Sequence, residues 1–194
     1  METPSPLEHE LLEGPWVLSL ADSRDKQLVG GKAINLSRLI HARFPVPDGF
    51  TVTTQAFLLG RQQADGGMPS EISQSILGAY RRMGSPPVAV RSSVTAEDLE
   101  DASMAGQYET VPDVRDESAL LNAVARCWKS LDTTRTRSYL AEHGIAMDAV
   151  SMGVVVQQLI PADVAGVLFT ANPRLGALHQ MLVESSWGLG EAVV

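Results

Sequence analysis

The chain has 194 residues, of which 44% are hydrophobic, enough to form one substantial core or a main lobe with a smaller one. Its formal net charge is −8, and its lysines and arginines are scattered singly, which argues against a nucleic-acid-binding surface. No run approaches the roughly 18 apolar residues of a membrane span, and the N-terminus lacks a signal pattern. A single cysteine, Cys127, excludes an internal disulfide. We therefore expect a cytoplasmic protein that binds neither nucleic acid nor membrane.

The first forty residues predict a loose leader, a strand and a helix. Residues 1–14 are polar and interrupted by proline, as in poorly ordered termini. Residues 15–20 predict an edge strand, and a charged turn separates it from an amphipathic helix. We expect this helix to begin just after Gly30 and Gly31, with Leu36, Leu39 and Ile40 on one face.

The Gly30-Gly31-Lys32 segment is a candidate phosphate site. Backbone amides at the start of a helix, next to a lysine, can hold a phosphate group. The segment lacks the spacing of a Walker loop, however, and Gly-Gly-Lys also occurs in ordinary turns. By itself it leaves both interpretations open.

Two helices follow a short predicted strand at residues 50–53. Residues 54–61 predict a brief helix capped by Thr53 or Thr54, and Ser70 is the expected cap of the next helix. In that helix the apolar residues recur at helical spacing, at Ile72, Ile76, Leu77, Tyr80 and Met83.

Residues 88–110 contain the strongest chemical signal. An apolar strand beginning at Val88 ends in Arg91, and serines, carboxylates and a flexible turn at Gly106 follow it. The planar guanidinium of Arg91 suits phosphate oxygens, while nearby hydroxyls add hydrogen bonds. The alternative is that Arg91 pairs with one of the local carboxylates and only holds a loop in place. Those carboxylates are Glu97, Asp98 and Asp101.

The remaining segments predict alternating helices and strands. We expect Pro112 and Asp113 to end the strand that contains Thr110, and Asp116 to begin an amphipathic helix with Cys127 and Trp128 in the core. Further predicted elements are a helix at 133–143 stopped by Gly144, a buried strand at 149–160 ending near Gln157 and Gln158, and paired strands at 165–173 and 180–184.

Several ordered motifs together resemble one family. Arg-Ser-Ser-x-Thr-Ala-Glu-Asp, followed by Ala-Ser-x-Ala-Gly-Gln, is similar to the signature of the ATP-binding domain shared by phosphoenolpyruvate synthases, pyruvate phosphate dikinases and rifamycin phosphotransferases. Val-Gly-Gly-Lys-x-x-Asn-Leu and Trp-Gly-Leu-Gly-Glu match the same family. The resemblance covers residues 28–194, except that the connection between Phe57 and Val88 is shorter than expected for these enzymes.

The resemblance implies an α+β, ATP-grasp-like fold that binds ATP. It makes residues 15–156 a first lobe, and residues 157–194 a hinge with an incomplete second lobe. Arg135 matches a family arginine only loosely, so a solvated arginine is the preferred interpretation. The implied nucleotide-binding residues are Lys32, Arg91, Gly106, Thr110 and Gln157, whereas Gln158 is expected to face solvent or brace the lobes.

The complete enzymes move a phosphoryl group from ATP to a histidine carrier and then to pyruvate or rifamycin. The resemblance places their Mg²⁺ ligands beyond Val194, and none of the four histidines of this chain lies in a phosphohistidine-like context. We therefore assign no catalytic residue and no metal ligand, and expect the missing domains on a longer or separate chain. Three functions compete: the ATP-binding portion of a phosphotransferase, a non-enzymatic nucleotide-binding module, and an inactive truncated product.

Overall fold

A computed structural model describes most of the chain. It describes residues 16–63, 67–95, 109–172 and 179–189, apart from the side chains of Arg135 and Asp148, and the backbone of residues 98–99 and 102–103. The leader predicted at residues 1–14 lies outside this part. The chain divides into a compact unit up to Leu159 and a second unit from Ile160.

The first unit is built around a five-stranded sheet in the order β1-β2-β7-β3-β6, in which all neighbours are antiparallel. β1, predicted at the edge, is indeed an edge strand. The strands of this sheet are β1 (Val17–Ser19), β2 (Gly49–Val52), β3 (Val88–Val94), β6 (Thr110–Val114) and β7 (Met152–Gln158). Between β3 and β6, the two short strands β4 (Asp98–Leu99) and β5 (Ala102–Ser103) pair with each other.

In the part of the chain that the structure describes, five helices accompany the sheet, so the α+β class is confirmed. They are α1 (Lys26–His41), α2 (Thr54–Arg61), α3 (Ser70–Arg82), α4 (Glu117–Ser130) and α5 (Thr134–Glu142). The predicted caps hold for α2 and α4, where Thr53 accepts from the Ala56 amide and Asp116 accepts from the Ala119 amide. The predicted cap at Ser70 is wrong, because Ser70 is already the first helical residue. Pro69 occupies the cap position and makes no side-chain capping bond.

The two faces of the sheet carry different cores. Alternate residues of β3 and β7, including Val90 and Val156, join the larger core with helices α2 to α5. The opposite face is covered by α1, whose Val29 and Ala33 pack with Val155 in a smaller core. The largest fully buried side chains of the larger core are Tyr80, Phe57, Ile72, Ile76, Leu120, Leu131 and Leu140.

Helix α1 begins earlier than the sequence indicated and is broken. Its first residue is Lys26, and the backbone leaves helical geometry at Gly30, with φ 79° and ψ 177°. A Cβ added there would lie 2.1 Å from the carbonyl oxygen of Ser93, so only glycine allows this close approach to β3. The predicted helix start is therefore the start of the second segment of α1. Of its predicted apolar face, Leu39 is 41% exposed, since that side of the helix turns away from the sheet.

The sequence predicted that strand β6 ends at Pro112 and Asp113, but it continues to Val114. The register shifts between Val88 and Val90, which indicates a bulge, and Asp113 has φ 55°. A proline is tolerated because β6 is an edge strand.

The strand predicted at 149–160 is shorter, running from Met152 to Gln158. Met147–Ala149 instead forms a 3₁₀ turn, in which the Ala149 amide donates to the Ala146 carbonyl. This local hydrogen bond keeps Ala149 out of the ladder.

The second unit contains an antiparallel hairpin, confirming the predicted paired strands. Its strands are β8 (Val164–Phe169) and β9 (Leu182–Trp187). Across the whole described part of the chain, no helix has both the length and the apolar character needed to cross a membrane.

Candidate functional site

A row of candidate residues crosses the sheet on the face covered by α1. Arg91 on β3 lies opposite Val155 of β7 on one side and opposite Thr110 of β6 on the other. Directly paired residues point to the same face of a sheet. Because Val155 packs against α1, Arg91 and Thr110 share the α1 face.

Arg91 is a partly buried cation. Burial lowers the pKa of its guanidinium below the ordinary value, although an arginine stays charged at neutral pH. No carboxylate among the described side chains forms an ion pair with Arg91. The carboxylates of the alternative interpretation, Glu97, Asp98 and Asp101, have side chains outside the described part.

Lys32 is held near this row by a contact that the sequence did not reveal. The amide of the next residue, Ala33, donates a hydrogen bond of 3.1 Å to the hydroxyl of Ser93. Ser93 lies two residues after Arg91 on β3 and therefore faces the same side. The break at Gly30 and the Ser93 hydroxyl together place the Lys32 segment of α1 over the strand that carries Arg91.

Gln157 also belongs to this face, since it is two residues along β7 from Val155. It pairs with Ala89 on β3, which makes it a diagonal neighbour of Arg91. Its side chain is buried, and its amide nitrogen donates to the Pro47 carbonyl at 3.1 Å. Gln157 thus braces the segment before β2, while Gln158 is exposed.

On the other face of β3, Glu109 contacts both Ser92 of the strand and Arg126 of α4. The backbone amide and the hydroxyl of Ser92 both donate to the Glu109 carbonyl, at 3.2 and 3.0 Å. The Glu109 carboxylate pairs with Arg126 of α4. Cys127 lies beside them, and burial, followed by the charge of Glu109, raises the pKa of its thiol to about 12. Cys127 is therefore a protonated core residue, in agreement with the sequence analysis.

Two further candidates, Gly106 and Arg135, have different outcomes. Gly106 lies outside the described residues, so its place near Arg91 remains a prediction. Arg135 is part of α5, which packs through Leu140 into the larger core, on the other side of the sheet from Arg91. Among the described residues, no group of three or more histidine, cysteine, aspartate or glutamate side chains is arranged to hold a metal ion.

Ser93 is the residue that sequence reasoning overlooked. It was noted only as one of several hydroxyls after Arg91, although period-two alternation already placed it on the Arg91 side of β3. Its partner, the Ala33 amide, lies 60 residues away, and no local pattern indicates such a contact.

Comparison with known proteins identifies the family. The family model of the pyruvate phosphate dikinase AMP/ATP-binding domain matches residues 59–194. The chain belongs to this family. Its α+β fold is accordingly that of an ATP-grasp-like, nucleotide-binding domain, as predicted.

Individual relatives agree with this assignment. The chain is 35% identical to a phosphoenolpyruvate synthase of Aeropyrum pernix, over 86% of this chain and 25% of that protein. It is 34% identical to the phosphoenolpyruvate synthase of Pyrococcus furiosus, over 88% of this chain and 30% of that protein. It is also 37% identical to the uncharacterized phosphotransferase YvkC of Bacillus subtilis, over 92% of this chain and 23% of that protein.

The lengths of these matches add two facts. The chain spans between about a quarter and three-tenths of the length of these relatives. The match with the Pyrococcus furiosus protein extends over 241 residues, more than the 194 of this chain, so that relative has additional residues within the matched stretch. Their position at the short connection between Phe57 and Val88 remains a prediction.

Proposed function

We propose that this chain binds ATP on the α1 face of its sheet, with Arg91 and Lys32 holding the phosphates. The family assignment supports the ligand, and the setting of Arg91 together with the contact between the Lys32 segment and β3 supports the position. Thr110 and Gln157 belong to the proposed site as neighbours of Arg91 on the same face. Gly106 is included through its sequence motif alone.

The observation that carries this proposal is the setting of Arg91. A guanidinium withdrawn from water needs an anionic partner, and none of the described side chains supplies one. Since Arg91 projects from β3, a strand paired on both sides, little ordering is needed for its guanidinium to meet two phosphate oxygens. An ATP phosphate fits this requirement in both charge and geometry.

Each residue then has a distinct part in binding. Arg91 offers parallel N–H donors and fixes the orientation of a phosphate group. Lys32 offers a compact charge on a flexible stem, and the Ser93 hydroxyl keeps its helix segment against β3. Bound ATP would supply the phosphoryl group that is transferred. Mg²⁺ is part of the proposal as the nucleotide's companion ion, with no ligand assigned to it among the described residues.

In its wider role, we propose that the chain is the ATP-binding portion of a phosphotransferase, acting with further domains on a longer or separate chain. Such an enzyme passes phosphate to a histidine carrier and then to pyruvate or rifamycin. The relatives named phosphoenolpyruvate synthase favour pyruvate as the acceptor. The second candidate is a nucleotide-binding module without catalysis. Product formation from ATP with pyruvate or with rifamycin would separate the two.

Replacing Arg91 tests the proposed site. We expect Arg91→Ala to weaken ATP binding about tenfold to a hundredfold, because a hydrogen bond to a charged group contributes roughly 1.5–3 kcal/mol. Arg135→Ala should have a smaller effect. NMR titration of the folded chain with ATP measures both, and tolerates millimolar affinity.

Arg81→Ala is the matched control, since Arg81 is an exposed arginine paired with Glu117. It removes the same charge and should leave the affinity for ATP nearly unchanged. If Arg91→Ala binds ATP like the unmodified chain while Arg135→Ala does not, the phosphate site has been placed on the wrong side of the sheet.

A further inference from the structure

A cavity of about 460 Å³ opens on the side of the sheet away from Arg91. It lies between α2, α4 and α5, and residues of each helix line it. Phe57 and Trp128 of its wall belong to the larger core, together with Val90 of β3. Arg91 follows Val90 and so faces the other way. The cavity is therefore separate from the proposed nucleotide site.

The wall of this cavity has an aromatic part. The rings of Phe57 and Trp128 meet edge to face, with their centroids 6.2 Å apart. Gly60 lets the indole approach α2, since a Cβ there would lie 2.6 Å from a ring carbon of Trp128. The buried indole N–H of Trp128 has no hydrogen-bond acceptor among the described residues. That N–H is enclosed by the protein, so the cavity offers a ligand the apolar indole ring rather than this polar group.

The rim is cationic, although the chain as a whole carries a net charge of −8. Arg61 and Arg137 both approach one oxygen of Asp132, at 3.3 and 3.6 Å, so that a single carboxylate serves two guanidinium groups. Lys129 also lines the cavity and pairs with no described carboxylate. Three cations against one carboxylate leave a local excess of positive charge that favours an anion.

We propose that this cavity binds a compact aromatic anion, such as an aromatic carboxylic acid, at a site distinct from the nucleotide site. The ring of the ligand packs against Trp128, with Phe57 supporting the indole from behind, and its carboxylate meets Lys129 and Arg137. Asp132 retains Arg61, whose guanidinium carbon lies 5.4 Å from the centroid of the Phe57 ring. The volume lies within the range typical of small-molecule sites.

The test is an NMR titration of the full chain with 2-naphthoate and, in parallel, with its uncharged analogue 2-naphthamide. A Trp128→Phe variant identifies the indole N–H signal of Trp128 by its loss. We expect 2-naphthoate to shift that signal and the amides of Gly60 and Asp132 in a saturable manner. The amide analogue should bind at least about fivefold more weakly, because it lacks the charge that the rim recognises. Saturating ATP should not displace 2-naphthoate.

A pair of double variants sharpens this test. Lys129→Ala with Arg137→Ala should weaken 2-naphthoate binding about tenfold or more. Arg43→Ala with Arg82→Ala removes two exposed positive charges elsewhere and should leave the affinity unchanged. Circular dichroism checks that both double variants are folded.

Three results would overturn the proposal. They are the absence of saturable shifts at the cavity, equal binding of the acid and the amide, and displacement of 2-naphthoate by ATP. The last result would assign the probe to the nucleotide site. Because the proposed ATP site is tested through Arg91, either proposal can fail without the other.

Discussion

The two faces of the central sheet are built from the same strands but are stabilised differently. On one face, helices α2 to α5 bury a continuous apolar core that includes Phe57, Tyr80 and Leu120. On the other face, the broken helix α1 covers a smaller apolar core, and Arg91, Thr110 and Gln157 share that face. The first face can exclude water on its own. The second leaves polar groups whose stability depends on specific partners.

This difference indicates on which face ligand-binding residues can be placed with the smallest loss of stability. A buried apolar face resists change because each lost methylene leaves a cavity. The α1 face has fewer apolar contacts to lose, and it carries the partly buried cation of Arg91. Substitutions on the two faces should therefore separate stability from ligand binding.

The largest expected effect is on the apolar face. Phe57 is fully buried against Trp128, so Phe57→Ala should lower the free energy of unfolding by about 3–5 kcal/mol. Val155→Ala in the smaller core removes two carbon atoms and should cost on the order of 2 kcal/mol. Urea denaturation followed by circular dichroism measures both. Equal losses at the two positions would contradict the difference between the faces.

The next effect concerns the break in α1. Gly30→Ala should lower the free energy of unfolding by about 2–4 kcal/mol, since it combines a positive φ with a clash against the Ser93 carbonyl. It should also weaken ATP binding, because the Lys32 segment must move away from β3.

Gly84→Ala is a close control for this substitution. Gly84 has φ +81°, nearly that of Gly30, but a Cβ there would meet nothing within 4 Å. It should cost only the backbone strain, about 1–2 kcal/mol, and leave ATP binding unchanged. If the two variants lose equal stability and bind ATP alike, the close approach of Gly30 to Ser93 has no functional role.

Sequence reasoning succeeded where the determining information is local. Helical spacing in α3 correctly grouped Ile72, Ile76 and Tyr80, which are all buried in the larger core. The caps Thr53 and Asp116 were predictable because each acts within its own first turn. The family motifs added the ATP-binding assignment, which local patterns alone left open at Lys32 and Arg91.

Sequence reasoning failed where a distant partner decides the structure. The break at Gly30 depends on contact with Ser93, and continuation of β6 through Pro112 depends on its edge position and on a bulge against β3. Leu39 fits a helical apolar stripe, yet it is exposed because the sheet reaches only the other side of α1. None of these outcomes can be read from neighbouring residues.

The smallest expected effect compares two adjacent serines on opposite faces of β3. The Ser93 hydroxyl accepts from the Ala33 amide, whereas the Ser92 hydroxyl donates to the Glu109 carbonyl. Either alanine substitution should lower the free energy of unfolding by about 1–2 kcal/mol, since each removes one buried hydrogen bond. Only Ser93→Ala should also weaken ATP binding, by a few-fold.

The reason for this asymmetry is the group that each hydroxyl holds. Without the Ser93 hydroxyl, the Ala33 amide loses its acceptor and the Lys32 segment is no longer fixed to β3. Without the Ser92 hydroxyl, the backbone amide of Ser92 still donates to the Glu109 carbonyl and keeps Thr110 in register. Ser93→Thr retains the acceptor and should recover part of the lost ATP affinity, provided that the variant is folded. NMR titration with ATP measures all three variants, and equal affinities for Ser92→Ala and Ser93→Ala would show that Ser93 only stabilises the fold.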